Sequence, residues 1–101
     1  MKKNLKRLNI KKKNKNKFSI ENYPKVVVSW LDIESNSAWQ NFEEFEKSEL
    51  PICKTMGHLY SQSKGMTRIF GDYTTLSNGD IGDIGNTTII PNSVIVKIEK
   101  I

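Results

Sequence analysis

The sequence is poor in the residues that build catalytic and metal centres. It contains one cysteine, Cys53, and one histidine, His58. A single cysteine excludes an intramolecular disulfide, which favours a reducing compartment. A zinc site would lack ligands, and the separation of five residues places Cys53 and His58 on opposite faces of a regular strand, away from nucleophile–base contact. We therefore expect no enzymatic activity, no metal and no cofactor.

Long apolar runs are also missing. No segment approaches the roughly 20 apolar residues that a transmembrane helix needs. The basic N-terminus is not followed by the apolar stretch of a secretory signal, and no glycine-rich phosphate loop lies between a strand and a helix. The 101 residues therefore predict one small domain without a membrane partner.

Acidic residues are absent from the first 17 positions, which are rich in lysine and asparagine. Nine basic side chains lie there: Lys2, Lys3, Lys6, Arg7, Lys11, Lys12, Lys13, Lys15 and Lys17. The net charge of +5 hides this division, because residues 18–101 carry seven basic and eleven acidic side chains, a net charge of −4. Repelling like charges with little apolar surface predict a disordered tail over residues 1–17. This tail is either simply solvated or neutralises RNA or DNA phosphates without sequence preference.

Residues 18–24 are interpreted as a linker, and the domain is expected to begin with a strand over Lys25–Ile33. Its β-branched run is apolar on both faces, which predicts that both faces are covered. Ser37 and a glutamine three positions later have the spacing of a capping box. This spacing predicts a short amphipathic helix over Ala38–Lys47, with Trp39 in the core.

Two further strands and a loop are expected after the helix. The second strand is Ile52–Ser61, where the interior Gly57 predicts a sharp bend, a bulge or a close approach of another chain segment. The third strand is Met66–Asp72, with an extension towards Thr75. Residues 77–86, with their repeated Gly-Asp-Ile unit, predict a mobile loop.

The C-terminal stretch predicts two strands separated by a tight corner at Pro91, which cannot continue a strand as a hydrogen-bond donor. Alternation after the corner places Val94, Val96 and Ile98 on the buried face and Ile95 on the outward face. The last strand is expected to pair with the first, as in a small barrel. Ile95 is then the candidate for self-association, and Ile95→Lys is expected to break an interface while leaving the fold intact.

These patterns predict a mainly β domain over residues 25–101, a small antiparallel barrel of about five strands with one short helix after the first strand. Aromatic and charged residues lie near its strand ends and turns. Small barrels stack bases or nucleotides on aromatic rings, and Tyr and Arg are typical of contact surfaces. The candidate ligand-binding residues are therefore Tyr60, Arg68, His58 and Tyr73.

The corner Ile90-Pro91-Asn92-Ser93-Val94, followed by Ile98, resembles the corner before the last strand of SH3-like and Sm-like barrels. A wider set of motifs is similar to a group of small uncharacterised proteins of tailed bacteriophages; it comprises Val28-x-Trp30-x-Asp32, Trp39, Thr55-x-Gly57-x-Leu59 and the corner itself. The resemblance covers residues 25–101 and implies a phage origin and a place in the host cytoplasm, but no settled activity. The RNA-binding loop motifs of Sm-like proteins have no counterpart here, so no RNA-binding residues are carried over.

Three functions stay open from the sequence. The first is a non-enzymatic binding module of phage origin, oligomeric through Ile95, that engages a host protein or a small nucleotide. The second is an RNA- or DNA-binding protein that acts through the basic tail. The third is a structural component of the virion.

Overall fold

The part of the chain that the structure describes contains five β-strands, one short α-helix and two 3₁₀ turns. The computed structural model describes Leu8 and residues 13–101. The elements are β1 (Lys25–Leu31), α1 (Phe42–Glu46), β2 (Ile52–Ser61), β3 (Met66–Thr75), β4 (Ile81–Pro91) and β5 (Ile95–Lys100), with 3₁₀ turns at Ile20–Asn22 and Asn92–Val94. The prediction of a mainly β domain with five antiparallel strands and one short helix is confirmed.

The strands form one sheet in the order β4-β3-β2-β1-β5. The predicted pairing of the last strand with the first is present, since Val28 of β1 pairs with Ile98 of β5. The apolar β1 lies between β2 and β5, and its Val26 and Val28 are fully buried. The face of β1 that carries Val26 and Val28 is therefore covered, whereas Val27 and Leu31 on the other face are partly buried.

The sheet must be strongly curled, because its two edge strands are consecutive in the chain. Only the turn Asn92–Val94 separates the end of β4 from the start of β5. Four residue steps span at most about 14 Å, whereas the edges of a flat five-stranded sheet lie about 19 Å apart. In the described part of the chain no hydrogen-bonded pairing joins β4 to β5, so the sheet is open.

The inner face of this curl holds the main core, which we call the aliphatic cluster. Its seven buried residues come from all five strands: Val26, Val28, Leu59, Ile69, Ile90, Ile95 and Ile98. Each such side chain contributes about 1.5–3 kcal/mol through removal from water. Leu8 also packs against the cluster, and its N–H donates to Oε1 of Gln62 at 2.9 Å.

The opposite face of the sheet carries a second group, the aromatic cluster. Its buried members are Tyr23, Phe70 and Ile81, with Ile20 and Tyr73 packed against them. The two groups lie on different faces because consecutive residues of β3, Ile69 and Phe70, point in opposite directions.

Gly57 lies next to the position where β2 changes its pairing partner. Residues Ile52–His58 pair with β1, while His58 and the residues after it pair with β3. A Cβ atom on Gly57 would lie 2.4 Å from Cγ2 of Ile69 and 2.9 Å from the carbonyl oxygen of Phe70. The close approach predicted from the interior glycine is therefore confirmed.

The outward position predicted for Ile95 is wrong. Ile95 is 1% exposed and belongs to the aliphatic cluster, whereas Val96 is 47% exposed. Ser29 pairs with Lys97 and Trp30 pairs with Ile95, so Val96 is an extra residue on β5. This β-bulge reverses the alternation and directs both Ile95 and Ile98 to the core.

The helix is shorter than predicted and begins at a different cap. Asn41, and not Ser37, is the N-cap: its side chain accepts from the Glu44 N–H at 2.7 Å, and the Glu44 side chain accepts from the Asn41 N–H at 3.0 Å. Trp39 precedes the helix and is 100% exposed, so its predicted place in the core is wrong. The Asp32 N–H donates to the Pro51 carbonyl oxygen at 3.0 Å, which brings β1 and β2 together and leaves the connection between them projecting. Among the described residues, no helix has the length and apolar character needed to span a membrane.

Residues 81–86 form the first half of β4 and not the expected loop. Ile81 pairs with Thr75 of β3, and Ile84 pairs with Tyr73 of the same strand. Ile81 is buried in the aromatic cluster. The Gly-Asp-Ile repeat is therefore strand, because its isoleucines find partners on β3 that the local composition does not reveal.

The folded part of the chain begins earlier than the predicted boundary at Lys25. The Asn14 N–H donates to Oδ1 of Asn22 at 2.9 Å, and the Ile81 N–H donates to the Phe18 carbonyl oxygen at 2.9 Å. The expected linker and the end of the expected disordered tail are thus hydrogen-bonded to the sheet and to each other. Three lysines of that tail, Lys13, Lys15 and Lys17, are described and exposed. The other six basic residues lie outside the described residues: Lys2, Lys3, Lys6, Arg7, Lys11 and Lys12.

Candidate ligand-binding cleft

Five aromatic rings form a continuous series across the outer face of the sheet. Tyr60 stacks on Tyr23 with centroids 5.6 Å apart, and Tyr23 meets the edge of Phe70 at 5.7 Å. His58 stacks on Phe70 at 5.3 Å and meets Tyr73 edge-on at 5.6 Å. These distances lie within the range of favourable aromatic pairs. Three predicted site residues, Tyr60, His58 and Tyr73, are therefore brought into one group.

Tyr60 lies at a β-bulge, at the exposed end of this series. Leu59 pairs with Ile69 and Ser61 pairs with Arg68, which leaves Tyr60 as an extra residue on β2. Bulges are common next to binding sites. One side of the Tyr60 ring is supported by Tyr23, and the residue is 56% exposed. Its ring is thus available for stacking against a ligand.

Basic side chains surround Tyr60 in a cleft of about 530 Å³, which we call the cationic cleft. Its lining residues are Lys17, Tyr23, Tyr60, Ser61, Ser63, Lys64 and Arg68. In the described part of the chain the ion pairs are Lys47–Glu43 and Lys97–Glu99, and neither involves a residue of the cleft. Three basic residues therefore line the cleft without an internal counterion, and the ammonium of one of them, Lys17, lies 5.3 Å from the centroid of the Phe18 ring.

The turn between β2 and β3 positions Lys64 beside the cleft. Lys64 and Gly65 both adopt the left-handed conformation, with φ of 56° and 76°. A two-residue hairpin turn of the type that matches strand twist requires positive φ at both positions. The Gly65 carbonyl oxygen also accepts from the Asn92 N–H at 2.9 Å. The turn thus holds the backbone of Lys64 in a defined place.

A second cavity of about 290 Å³ adjoins the cationic cleft, and we call it the ring cavity. It is lined by Lys17, Phe18, Tyr23, Tyr60, Phe70, Ile81, Gly82, Asp83 and Ile84. Lys17, Tyr23 and Tyr60 belong to both cavities. One ligand with a flat apolar part and an anionic part can therefore occupy the two spaces together.

Tyr23 connects the aromatic cluster to the N-terminal segment. Its hydroxyl donates to the Lys17 carbonyl oxygen at 2.5 Å. Burial raises the pKa of Tyr23, and the neighbouring Tyr60 raises this pKa further. Nδ1 of His58 lies 2.8 Å from the Tyr23 carbonyl oxygen, and this nitrogen carries the proton because a carbonyl oxygen only accepts.

The four predicted ligand-binding residues divide into two pairs. Tyr60 and Arg68 line the cationic cleft. His58 and Tyr73 line neither cavity and instead support Phe70. Residue type at a strand end indicated all four, but only the structure separates lining residues from supporting ones.

The sequence does not indicate the other lining residues. Its patterns predict Lys17 in the tail, Tyr23 in the linker and Asp83 in a mobile loop. The one available signal was Ser63-Lys64-Gly65, a turn that carries a cation between two strands. The remaining positions depend on contacts between distant segments, such as the bond from Tyr23 to Lys17 and the pairing of β4 with β3.

Comparison with known proteins found no matching family model, no matching curated protein and no matching solved structure.

Proposed function

We propose that this chain is a non-enzymatic binding module that holds a small nucleotide in the cationic cleft. The observation that carries the proposal is the half-exposed Tyr60 ring, stacked on Tyr23 and surrounded by three basic side chains without ion-pair partners. Aromatic side chains bind bases by stacking. Arginine and lysine bind phosphate through charge-assisted hydrogen bonds.

The size and charge of the molecule favour a small anion over a long polyanion. A cleft of about 530 Å³ lies within the range of small-ligand pockets, about 300–1,000 Å³. Residues 18–101 carry a net charge of −4, which repels an extended nucleic acid away from the local basic patch. The positive charge of the cleft is therefore concentrated where one or two phosphate groups would lie.

Calorimetric titration with nucleoside monophosphates and with inorganic phosphate tests the proposal. We expect Tyr60→Ala to weaken nucleotide binding by about 5- to 150-fold, the equivalent of the stacking energy of one base. Tyr60→Phe should bind normally because it keeps the ring. Arg68→Gln should weaken binding of every nucleotide, whereas Lys100→Gln, on an exposed position of β5, is the charge-matched control. A folded protein that binds none of these nucleotides would contradict the proposal.

We also propose that the curled sheet is an SH3-like or Sm-like barrel and that the chain is a phage protein of the host cytoplasm. The short turn between the two edge strands supports the barrel, and the motif resemblance supports the origin. Amide–amide nuclear Overhauser effects between β4 and β5 would establish closure. Edge strands that both exchange their amide protons rapidly would contradict closure.

A second candidate function, protein binding, is favoured by the connection between β1 and β2. Residues 32–51 carry six acidic side chains and one basic side chain. The same segment exposes large apolar residues: Ile33, Trp39, Phe42, Phe45 and Leu50. An apolar patch within acidic surroundings fits a partner with a basic, apolar surface.

Tryptophan fluorescence tests this second function. In a Trp30→Phe background Trp39 is the single tryptophan, and its full exposure predicts emission at long wavelength. An amphipathic Lys/Leu peptide should shift this emission to the blue, and a matched Glu/Leu peptide should not. Equal responses to the two peptides, or no response to either, would contradict a basic partner.

The nucleic-acid and virion hypotheses rest on the sequence alone. Since Leu8 packs against the aliphatic cluster and the Lys17 carbonyl oxygen is bonded to Tyr23, the basic tail is tested by glutamine substitution of its charges and not by deletion. The substituted residues are Lys2, Lys3, Lys6, Arg7, Lys11 and Lys12. Salt-sensitive RNA or DNA binding should be lost in this variant if the tail carries it. A structural virion component should be present in purified particles.

A further inference from the structure

Asp83 occupies a second β-bulge beside the ring cavity. Tyr73 pairs with Ile84 and Thr75 pairs with Ile81, so Gly82 and Asp83 together oppose Thr74 alone. The Asp83 N–H donates to Oγ1 of Thr74 at 2.8 Å. Asp83 lines the ring cavity on the β4 side, and Tyr60, at the bulge in β2, lines it as well.

Gly82 allows this bulge to be tight. A Cβ atom at Gly82 would lie 2.7 Å from Oγ1 of Thr74 and 3.3 Å from Cδ2 of Leu76. The absence of a side chain therefore lets the Thr74 hydroxyl reach the Asp83 N–H. The backbone of Asp83 is held in place by this bond and by the flanking strand pairs.

Three aspartates lie close together, in β3, in the following turn and in β4, and Asp83 differs from the other two in its hydrogen bonds. Asp80 accepts a hydrogen bond from Asn16 at 2.9 Å, and Asp72 accepts one from Asn86. Within the residues that the structure describes, the Asp83 carboxylate has no hydrogen bond and no ion pair. Asp83 is exposed, so water solvates its carboxylate when no ligand is bound, and no protein group competes with a ligand for it.

We propose that Asp83 makes the site selective for guanine, with the base in the ring cavity and the phosphate in the cationic cleft. This inference rests on the proposed nucleotide-binding function. A carboxylate with two oxygens pairs best with two adjacent donors. Guanine offers such a pair, N1–H and the 2-amino group, whereas adenine offers a 6-amino group next to an acceptor nitrogen and hypoxanthine offers N1–H alone.

The placement of charges agrees with this orientation. The ring cavity is lined by Phe18, Tyr60 and Phe70 and by the acidic residue Asp83. Lys64 and Arg68 line only the cationic cleft. A phosphate at the Asp83 end would be repelled, whereas a base with two donors at that end leaves its phosphate beside the two cations.

Calorimetric titration with GMP and IMP tests the inference, since these nucleotides differ by the 2-amino group alone. We expect GMP to bind at least about tenfold more tightly than IMP, within the discrimination of a bidentate contact to a base. Asp83→Asn should bring the two affinities together, because an amide oxygen and an amide N–H do not match two donors. The control Glu46→Gln removes the same charge at an exposed helix position and should keep the preference.

The outcomes separate the inference from the proposed function. Equal binding of GMP, IMP and AMP to the unaltered protein would overturn guanine selectivity and leave nucleotide binding standing. A preference for GMP that persists in Asp83→Asn would overturn the role of Asp83. Binding of none of the three nucleotides would overturn the proposed function itself. Thermal unfolding of each variant shows that an altered affinity does not reflect loss of the fold.

Discussion

The two faces of the sheet differ in what covers them. The aliphatic cluster is enclosed by the curl, with every buried member at most 7% exposed. The aromatic cluster is covered by the segment before β1, and two cavities lie beside it. A face that closes on itself serves stability, and a face covered by a short irregular segment leaves room for a ligand.

The side chains on each face suit that difference. Aliphatic groups have no polar atoms and pack well where no backbone acceptor is nearby. Tyr23 and His58 carry polar atoms that need partners when they are buried. The segment before β1 supplies these partners through the carbonyl oxygens of Lys17 and Tyr23.

The largest loss of unfolding free energy should come from placing a charge in the aliphatic cluster. We expect Ile95→Lys to cost more than about 4 kcal/mol of unfolding free energy, because it buries an unpaired ammonium group and removes a core side chain. Urea denaturation followed by circular dichroism measures this loss. The neighbouring Val96→Lys lies on the bulge, is half exposed and should change stability by less than about 0.5 kcal/mol. A folded Ile95→Lys protein with altered oligomeric state would instead support the outward position.

A smaller effect is expected at the junction between the two faces. Gly57→Ala would press a methyl group against Ile69 and the Phe70 backbone, at a cost of about 1–3 kcal/mol. Gly85→Ala is the matched control in β4, since its Cβ would meet only Cβ of Asp72 at 3.9 Å. Thermal unfolding compares the two. Equal melting temperatures would show that β2 and β3 can separate at Gly57 without loss.

The smallest change in stability should come from ionisation of Tyr23, on the aromatic face, at high pH. Burial, with a contribution from Tyr60, raises the pKa of Tyr23 above its ordinary value of 10.0. The folded state therefore holds the phenol proton more tightly than the unfolded state. The resulting stability is fully present below about pH 10 and is lost as the pH rises through the higher pKa of the folded state.

Comparison with Tyr23→Phe isolates this pH dependence, because the variant keeps the ring and removes the hydroxyl. Urea midpoints measured from about pH 9 to about pH 11 should fall more steeply in the unaltered protein than in Tyr23→Phe. Tyr60→Phe should reduce the slope in part, since it removes the second cause of the shift. Parallel curves for all three proteins would contradict a raised pKa at Tyr23.

Several elements were predictable because they depend on local patterns. Ile52–Ser61 was predicted with the bounds it has, and the third strand ends at Thr75 as its extension indicated. Pro91 marked the end of β4 because it lacks an N–H. The helix was misplaced because Ser37 and Asn41 both offer capping signals three residues before Gln40 and Glu44, and only Asn41 forms the reciprocal bonds.

The candidate site was predictable only in part. Tyr60 and Arg68 were found from residue type and position near strand ends. Lys17 and Asp83 could not be found, because neither is close in sequence to β2, and their places depend on the hydrogen bonds of Phe18 and Thr74 with β4. A local pattern does not contain these distant partners.

By itself, the sequence determined that the chain forms antiparallel strands, that a corner follows Pro91 and that the last strand pairs with the first. The alternation of apolar and polar residues along a strand, and the missing N–H of a proline, depend only on residues close together in the sequence. Both can therefore be recognised without the structure. The tertiary structure decided that Ile95 is buried and that Tyr60 and Asp83 line cavities. Ile95 faces the core because one extra residue on β5 reverses the alternation, and only the pairing of β5 with β1 reveals that residue. Tyr60 and Asp83 line cavities because Lys17, Phe18 and Tyr23, which are distant in the sequence, complete the walls.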